Sequence, residues 1–278
     1  MILNEAQLIY FSPTHTSERI GEAIVRGTGI RDVFTRNLTR EEGEETVIPA
    51  SALAIIVVPV YGGHVAPLAM QRLKKIRGMH TPVVLVVVYG NRAYEKALVD
   101  LDAFATQQDL KVIGGATFIG EHSYSSASKP IAVGRPNATD LQLAANFGKQ
   151  IQAKISAASS LESLYPVDVS RISRPSQPLF PMLRFLRSAI SLRNSGMPLP
   201  RTPWVEEESR CSHCGICVEL CPAQAIMSGD ELHTDATKCI KCCACVKNCP
   251  QQARVFDTPY ADLLSQNFSR QKEPKTLL

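Results

Sequence analysis

A twelve-residue cysteine pattern occurs twice near the end of the chain. Cys211-Ser212-His213-Cys214-Gly215-Ile216-Cys217-Val218-Glu219-Leu220-Cys221-Pro222 is matched 28 residues later by Cys239-Ile240-Lys241-Cys242-Cys243-Ala244-Cys245-Val246-Lys247-Asn248-Cys249-Pro250. All nine cysteines of the 278 residues lie in this span, and the first 210 residues contain none. A disulfide framework belongs to small secreted domains, not to one corner of a long chain. The duplicated spacing therefore points to metal chemistry. A zinc site needs four ligands, and this is not the spacing of zinc ribbons or fingers.

Length fits one or two domains. A hydrophobic content of 45% and a charged content of 20% argue against disorder. The longest apolar runs, Leu53–Val60 and Val83–Tyr89, have strand length and fall far short of the roughly 20 residues of a membrane span. Met1–Glu5 has neither a basic nor an apolar stretch, so no signal peptide and a cytoplasmic setting are expected.

Residues 1–158 alternate between strand and helix signals. Strands are expected at Gln7–Phe11, Asp32–Phe34, Leu53–Val58, Pro82–Val88 and Val112–Phe118, and helices at Ser17–Arg26, Pro67–Ile76, Tyr94–Gln107 and Thr139–Ala157. Runs apolar on both faces suit strands covered by helices on each side. The expected fold is α/β, a doubly wound parallel five-stranded sheet, whose ligands bind at the carboxyl ends of the strands.

The first such loop is Ser12-Pro13-Thr14-His15-Thr16-Ser17. It resembles the flavodoxin phosphate loop, with His15 where that family usually has glycine. Ser12, Thr14, Thr16 and Ser17 supply hydroxyls, and the helix start supplies N–H groups and partial positive charge, which suits the phosphate of FMN. Plain helix capping is the alternative. Two further loops would bracket the flavin ring: Pro59-Val60-Tyr61-Gly62-Gly63 and Tyr89-Gly90-Asn91-Arg92. There Gly62 and Gly63 permit close backbone approach, Tyr61 offers a stacking face, and Asn91 or Arg92 would reach the flavin edge. A fourth loop, Gly120–Ser125, carries no role legible in the sequence.

Residues 159–204 are rich in proline and hold Arg171, Arg174, Arg184, Arg187, Arg193 and Arg201 against two acids, Glu162 and Asp168. Leu179–Leu192 has the periodicity of a short basic amphipathic helix. A linker packing on its own domains, a dock for an acidic redox partner and membrane-surface association are three readings of this stretch. Nucleic acid is not expected, since no aromatic platform accompanies the arginines.

The duplicated C-x-x-C-x-x-C-x-x-x-C-P resembles bacterial ferredoxins that hold two [4Fe–4S] clusters, in which the fourth cysteine of each copy ligates the other cluster. The resemblance implies Cys211, Cys214, Cys217 and Cys249 around one cluster, and Cys239, Cys242, Cys245 and Cys221 around the second. Cys243 lies outside this register and reads as a buried packing residue, or alternatively as a redox sensor or substitute ligand. His213 reads as an exposed loop residue. Taken whole, the chain resembles a family of prokaryotic flavodoxin–ferredoxin fusions, mostly from anaerobes. Its members typically show Y-G-N-R after the fourth strand, as Tyr89–Arg92 do, and a K-E-P tail, as Lys272-Glu273-Pro274 do. The resemblance implies an FMN-binding flavodoxin-like domain at 1–158, a linker at 159–204, a small α+β ferredoxin domain at 205–254 and a tail at 255–278.

Function then reads as an electron carrier between two [4Fe–4S] clusters and FMN for a partner oxidoreductase, docking on the Arg171–Arg201 stretch. A flavin reductase acting on a quinone or nitro compound, and a redox sensor with structural clusters, stay open. No G-x-G-x-x-G follows a strand, so no nicotinamide site is indicated. The formal charge of +4 changes meaning once cofactors are counted, because each oxidised cluster with its thiolates adds about −2 and an FMN phosphate about −2.

Overall fold

A computed structural model describes residues 3–40, 43–196 and 202–278. They form two compact units, each discontinuous in sequence. The first comprises the described residues of 1–120, 134–175 and 272–278; the second comprises those of 121–133 and 176–271.

The first unit contains β1 (Glu5–Tyr10), α1 (Thr16–Thr28), β2 (Asp32–Asn37), β3 (Ala52–Tyr61), α2 (Pro67–Leu73), β4 (Thr81–Tyr89), α3 (Ala97–Gln107), β5 (Leu110–Ile119) and α4 (Ala138–Ala157). The strand order is β2-β1-β3-β4-β5, all parallel. β1 sits between β2 and β3, with Ile9 opposite Arg36 on one side and Ile56 on the other. This is the flavodoxin-like doubly wound order, and its reversal at β1 places a ligand crevice beyond the carboxyl ends of β1 and β3.

Leu53–Val58 of β3 and Val83–Val87 of β4 are fully buried, which explains why both runs are apolar on alternate faces alike. On one face, α1 and α4 share a core with Leu8, Leu53, Ile55, Val84 and Phe118. The two helices meet backbone to backbone: a Cβ on Gly27 would lie 1.9 Å from Ala145 O, and one on Gly148 would lie 2.0 Å from Ile24 O. α4 starts at a reciprocal capping box, Asn137 accepting from Asp140 N while Asp140 accepts from Asn137 N.

Two features lie outside the expected layout. Residues 159–175 join the first unit: Val167 N donates to Val112 O, Lys111 Nζ donates to Leu161 O, and Val169 is buried beside Gly115, where a Cβ would meet it at 2.9 Å. The tail contributes β6 (Lys275–Leu277), antiparallel to β5 with Thr276 opposite Ala116. Three residues are too few for a periodic signal, so the sheet gained an edge that the sequence did not announce.

The second unit holds α5 (Leu179–Asn194), α6 (Ile216–Glu219), α7 (Ala244–Lys247), α8 (Pro259–Asn267) and a two-residue ladder pairing Trp204–Val205 with Arg254–Val255. α5 rests on α8 through a Phe185–Phe268 edge contact of 5.2 Å and a hydrogen bond from Arg184 Nε to Asn267 Oδ1 of 2.6 Å. Residues 121–133, which directly follow β5, are part of this unit. Ile131 packs with Leu264 and Phe268, and Lys129 pairs with Asp257 and Asp262. Lys247 of α7 donates to Glu121 and to Ser125 O, and Tyr124 stands edge-on to Phe256 at 5.1 Å. The loop without a legible role is thus a brace for the cysteine-rich segment.

Candidate functional site

The duplication extends to backbone conformation. His213 and Lys241 have φ of 50° and 57°, Gly215 and Cys243 have 76° and 58°, and Gln224 and Gln252 have 48° and 49°. Each pair is one repeat apart. Gly215 and Cys243 are the N-caps of α6 and α7. Cys243 therefore occupies the left-handed position that glycine fills in the first copy, so its counterpart there is Gly215 and not a cysteine. It is 1% exposed, as expected of a packing residue.

Cys211, Cys214, Cys217 and Cys249 line one cavity, together with Glu231 and Arg254. The fourth member comes from the second copy of the repeat. Cys221 is close enough to Cys239, Cys242 and Cys245 for its charge to oppose the ionisation of all three. Burial pushes the Cys242 thiol up to about 12 and Cys245 to about 11, and raises Cys217 and Cys239 as well. At Cys249 burial acts in the same sense, but N–H groups of Arg254, Ala253 and Gln251 outweigh it and hold the thiol below its ordinary value. The last cysteine of each copy accepts an N–H···S hydrogen bond, from Ala225 to Cys221 at 3.2 Å and from Ala253 to Cys249 at 3.3 Å. Among the described residues no three His, Cys, Asp or Glu side chains converge as they would on a single metal ion; the cysteines ring a cavity instead. Soft thiolates around such a space fit an iron–sulfur cluster.

Three residues of this region escaped the sequence reading. Arg254 is 3% exposed, and its guanidinium donates to Glu231 O, Pro203 O and Thr234 Oγ1. Its charge favours the thiolates of Cys217 from the first set and of Cys239 and Cys245 from the second. Its Nε finds no hydrogen-bond partner among the described residues. The signal was available in the repeat, since the equivalent residue of the first copy is the buried Ile226. The Glu231 carboxylate, itself 5% exposed, accepts from Gly229 N and lies 3.0 Å from His213 Nδ1. His213 first, and then the backbone N–H groups, hold that carboxyl down to about 2. His213 is accordingly a brace of the first cysteine loop as well as a half-exposed residue. Tyr124 is the third, its phenol pushed up to about 12 by burial first and then by Cys243, Cys239 and Cys242.

In the first unit the loop after β1 turns through His15, left-handed at φ 60° and N-cap of α1. The imidazole Nδ1 lies 2.6 Å from Glu18 Oε2, and Tyr10 OH donates to the other oxygen of that carboxylate. Ser12 is buried, donates its N–H to Thr39 Oγ1 and accepts at Oγ from Glu18 N. Ser17 is fully buried, and its Oγ has no partner among the described residues. Thr14 and Thr16 are partly exposed, and Thr16 abuts Gly120, where a Cβ would come within 3.1 Å. A hydroxyl without a partner beside a helix N-terminus is chemistry that fits a phosphate.

The loop after β3 turns through Gly62 and Gly63 at φ 61° and 89°, with Pro59 buried and Val60 and Tyr61 partly exposed. Lys96 N donates to Gly63 O, which joins this loop to the one after β4. In that second loop Tyr89 and Asn91 are buried and Gly90 is partly exposed, while Arg92 pairs with Glu95 at 3.2 Å. The carboxamide of Asn91 accepts from Lys272 N, and Tyr94 OH donates to Ile172 O. Of the expected arginine surface, Arg171, Arg174, Arg184, Arg187 and Arg193 are exposed; Arg201 lies outside the described residues.

Comparison with known proteins decides the nature of the repeated segment. Residues 203–254 match the family model of the 4Fe-4S dicluster domain. The chain joins a flavodoxin-like unit to a ferredoxin-type segment. No curated protein matches it. Among solved structures it is similar to a flavodoxin from the domain Archaea, at 14% identity over 55% of this chain and 99% of that one with a TM-score of 0.36. A flavodoxin from Fusobacterium nucleatum bound to flavin mononucleotide shows 20% identity over 55% and 96%, also with a TM-score of 0.36. A Streptococcus pneumoniae flavodoxin gives 15% over 54% and 99%, with a TM-score of 0.38. The strand order, rather than these distant likenesses, carries the assignment of the flavodoxin-like fold. No described helix is long and apolar enough to cross a membrane.

Proposed function

We propose that the chain is an electron-transfer protein that holds two [4Fe–4S] clusters and FMN and exchanges electrons with a partner oxidoreductase. The observation that carries the reading is the cavity ringed by Cys211, Cys214, Cys217 and Cys249, because it draws three thiols from one copy of the repeat and the fourth from the other. Cys239, Cys242, Cys245 and Cys221 form the complementary set. When bound, the clusters supply one-electron steps and FMN supplies one- or two-electron steps.

The protein's own groups do the rest. Arg254 places a fixed cation beside thiols of both sets, and the N–H groups of Ala225 and Ala253 donate to sulfur; both features favour added negative charge. Burial of Cys242 and Cys245 shields those two thiols from water, while Cys221 and Cys239 are partly exposed. Ser12, Thr14, His15, Thr16 and Ser17 would hold the FMN phosphate, and Pro59–Gly63 with Tyr89–Arg92 would border the ring. Anaerobic reconstitution with iron, sulfide and FMN, followed by elemental analysis and redox titration, tests the scheme. About eight irons and one flavin per chain are expected. A chain that saturates at one cluster, or that takes up no flavin, would overturn it.

A further inference from the structure

α5 contains 16 residues, and none of them is buried. Leu179, Leu183, Leu186 and Ile190 are 68%, 53%, 47% and 59% exposed, and Phe180 is 81% exposed. At about 100° per residue the first four fall on one stripe within roughly 60° of one another. The stripe is separate from the side that meets α8, where Met182 and Phe185 pack against Leu264 and Phe268. So the helix already has its intramolecular partner on one side and presents a second apolar row to solvent.

Charge decides what fits that row. Arg187 and Arg193 are exposed and flank the stripe on opposite sides by the same helical geometry. No Asp or Glu occurs between Asp168 and Glu206. A second copy of this helix would set arginine against arginine, and a neutral apolar groove would leave the guanidiniums without counter-charge. A convex helix with bulky apolar side chains at its lowest line and arginines at either shoulder matches the depth profile of an acyl layer beneath anionic headgroups. We propose that α5 is an interfacial helix that places the second unit on an anionic lipid surface. A single helix of this length with no covalent anchor binds reversibly and more weakly as ionic strength rises.

Flotation of the full cofactor-loaded chain with vesicles of one part phosphatidylserine to two of phosphatidylcholine tests this, with pure phosphatidylcholine vesicles as reference. The expected result is association with the anionic vesicles that fades in high salt. Leu183→Glu with Ile190→Glu should abolish it, and Arg187→Gln should weaken it about fivefold. Iron content and circular dichroism establish that these surface variants are folded. A Leu183→Trp chain gives an independent reading, because its emission should shift to the blue only with anionic vesicles. Absence of flotation at low salt overturns the proposal, as does flotation that survives the double substitution. A chain that ignores vesicles yet binds an acidic protein through the same residues also overturns it, and assigns the stripe to a protein partner.

Discussion

The side-chain oxygen of Asn91 accepts a hydrogen bond from the backbone N–H of Lys272 at 2.9 Å, across 181 residues of sequence. Arg135 adds two contacts of 3.4 Å to Lys272 O while its guanidinium grips the buried Asp140. The Y-G-N-R loop and the K-E-P tail are thus two halves of one lock, and behind it β6 pairs with β5. Replacing Asn91 by Leu leaves a backbone donor without its acceptor. The expected loss is about 1–3 kcal/mol, read as a lower midpoint in denaturant unfolding. An unchanged midpoint would mean that β6 and Arg135 hold the tail without Asn91.

Cysteine replacements should sort into two groups of four. Cys249→Ala and Cys221→Ala are each expected to lower iron from about eight to about four per chain, and each should spare a different cluster. Cys243→Gly should keep all eight, because it restores the residue type that the first copy carries at the same left-handed position. Elemental analysis with electron paramagnetic resonance of the reduced chains reads all three. Iron loss on Cys243→Gly would reassign the ninth cysteine as a ligand.

Arg254→Ile converts the second copy to the apolar choice of the first, Ile226. Removing a buried cation from beside both thiol sets makes an added electron harder to accommodate, so both clusters should titrate at lower potential with iron content unchanged. Arg254→Lys should lie between the two. A potential that does not move would show that the residue only ties Pro203, Glu231 and Thr234 together.

Lys154 gives the pH dependence its sign. Its ammonium donates to Ile113 O at 2.9 Å and stands 3.7 Å above the Tyr165 ring. Burial first, and then the nearby Lys111, bring its pKa down from 10.5 to about 8. Below pH 8 both states carry the charge. Between pH 8 and 10.5 the unfolded chain holds the proton that the folded chain has released, so this group's contribution makes stability rise with pH. Lys154→Met should remove that rise. Urea midpoints of both proteins at pH 7 and pH 10 suffice, and the gap between them should shift in favour of the native chain at the higher pH.

How much could be read in advance depended on how local the determinants were. The five parallel strands follow from runs such as Leu53–Val58, whose burial on both faces is written in consecutive residues. The cysteine sets follow from a cysteine and proline spacing that recurs 28 residues later. By contrast, β6 is three residues long, and its partner lies more than 150 positions earlier. Residues 121–133 look like any polar loop until Lys247 and Phe256 supply their partners. The 159–204 stretch reads as one basic linker, yet its first part is anchored by Val167 and Val169, and its other described residues belong to the second unit. Asn91 reads as a ligand-facing polar residue on loop chemistry alone, whereas its carboxamide oxygen is engaged by Lys272. Arg254 was legible only by comparing the two copies, where a buried arginine breaks the pattern set by Ile226.

The chain passes between its two units four times, at residues 120/121, 133/134, 175/176 and 271/272. During synthesis β6 therefore emerges after all of residues 176–271, and the edge of the first sheet stays open until the second unit has been made. The flavodoxin-like half cannot be finished first and then left alone. A cut at either end of 205–254 would remove neither half cleanly, so exchange of this segment between genes would need compensating changes at the brace and at the tail together.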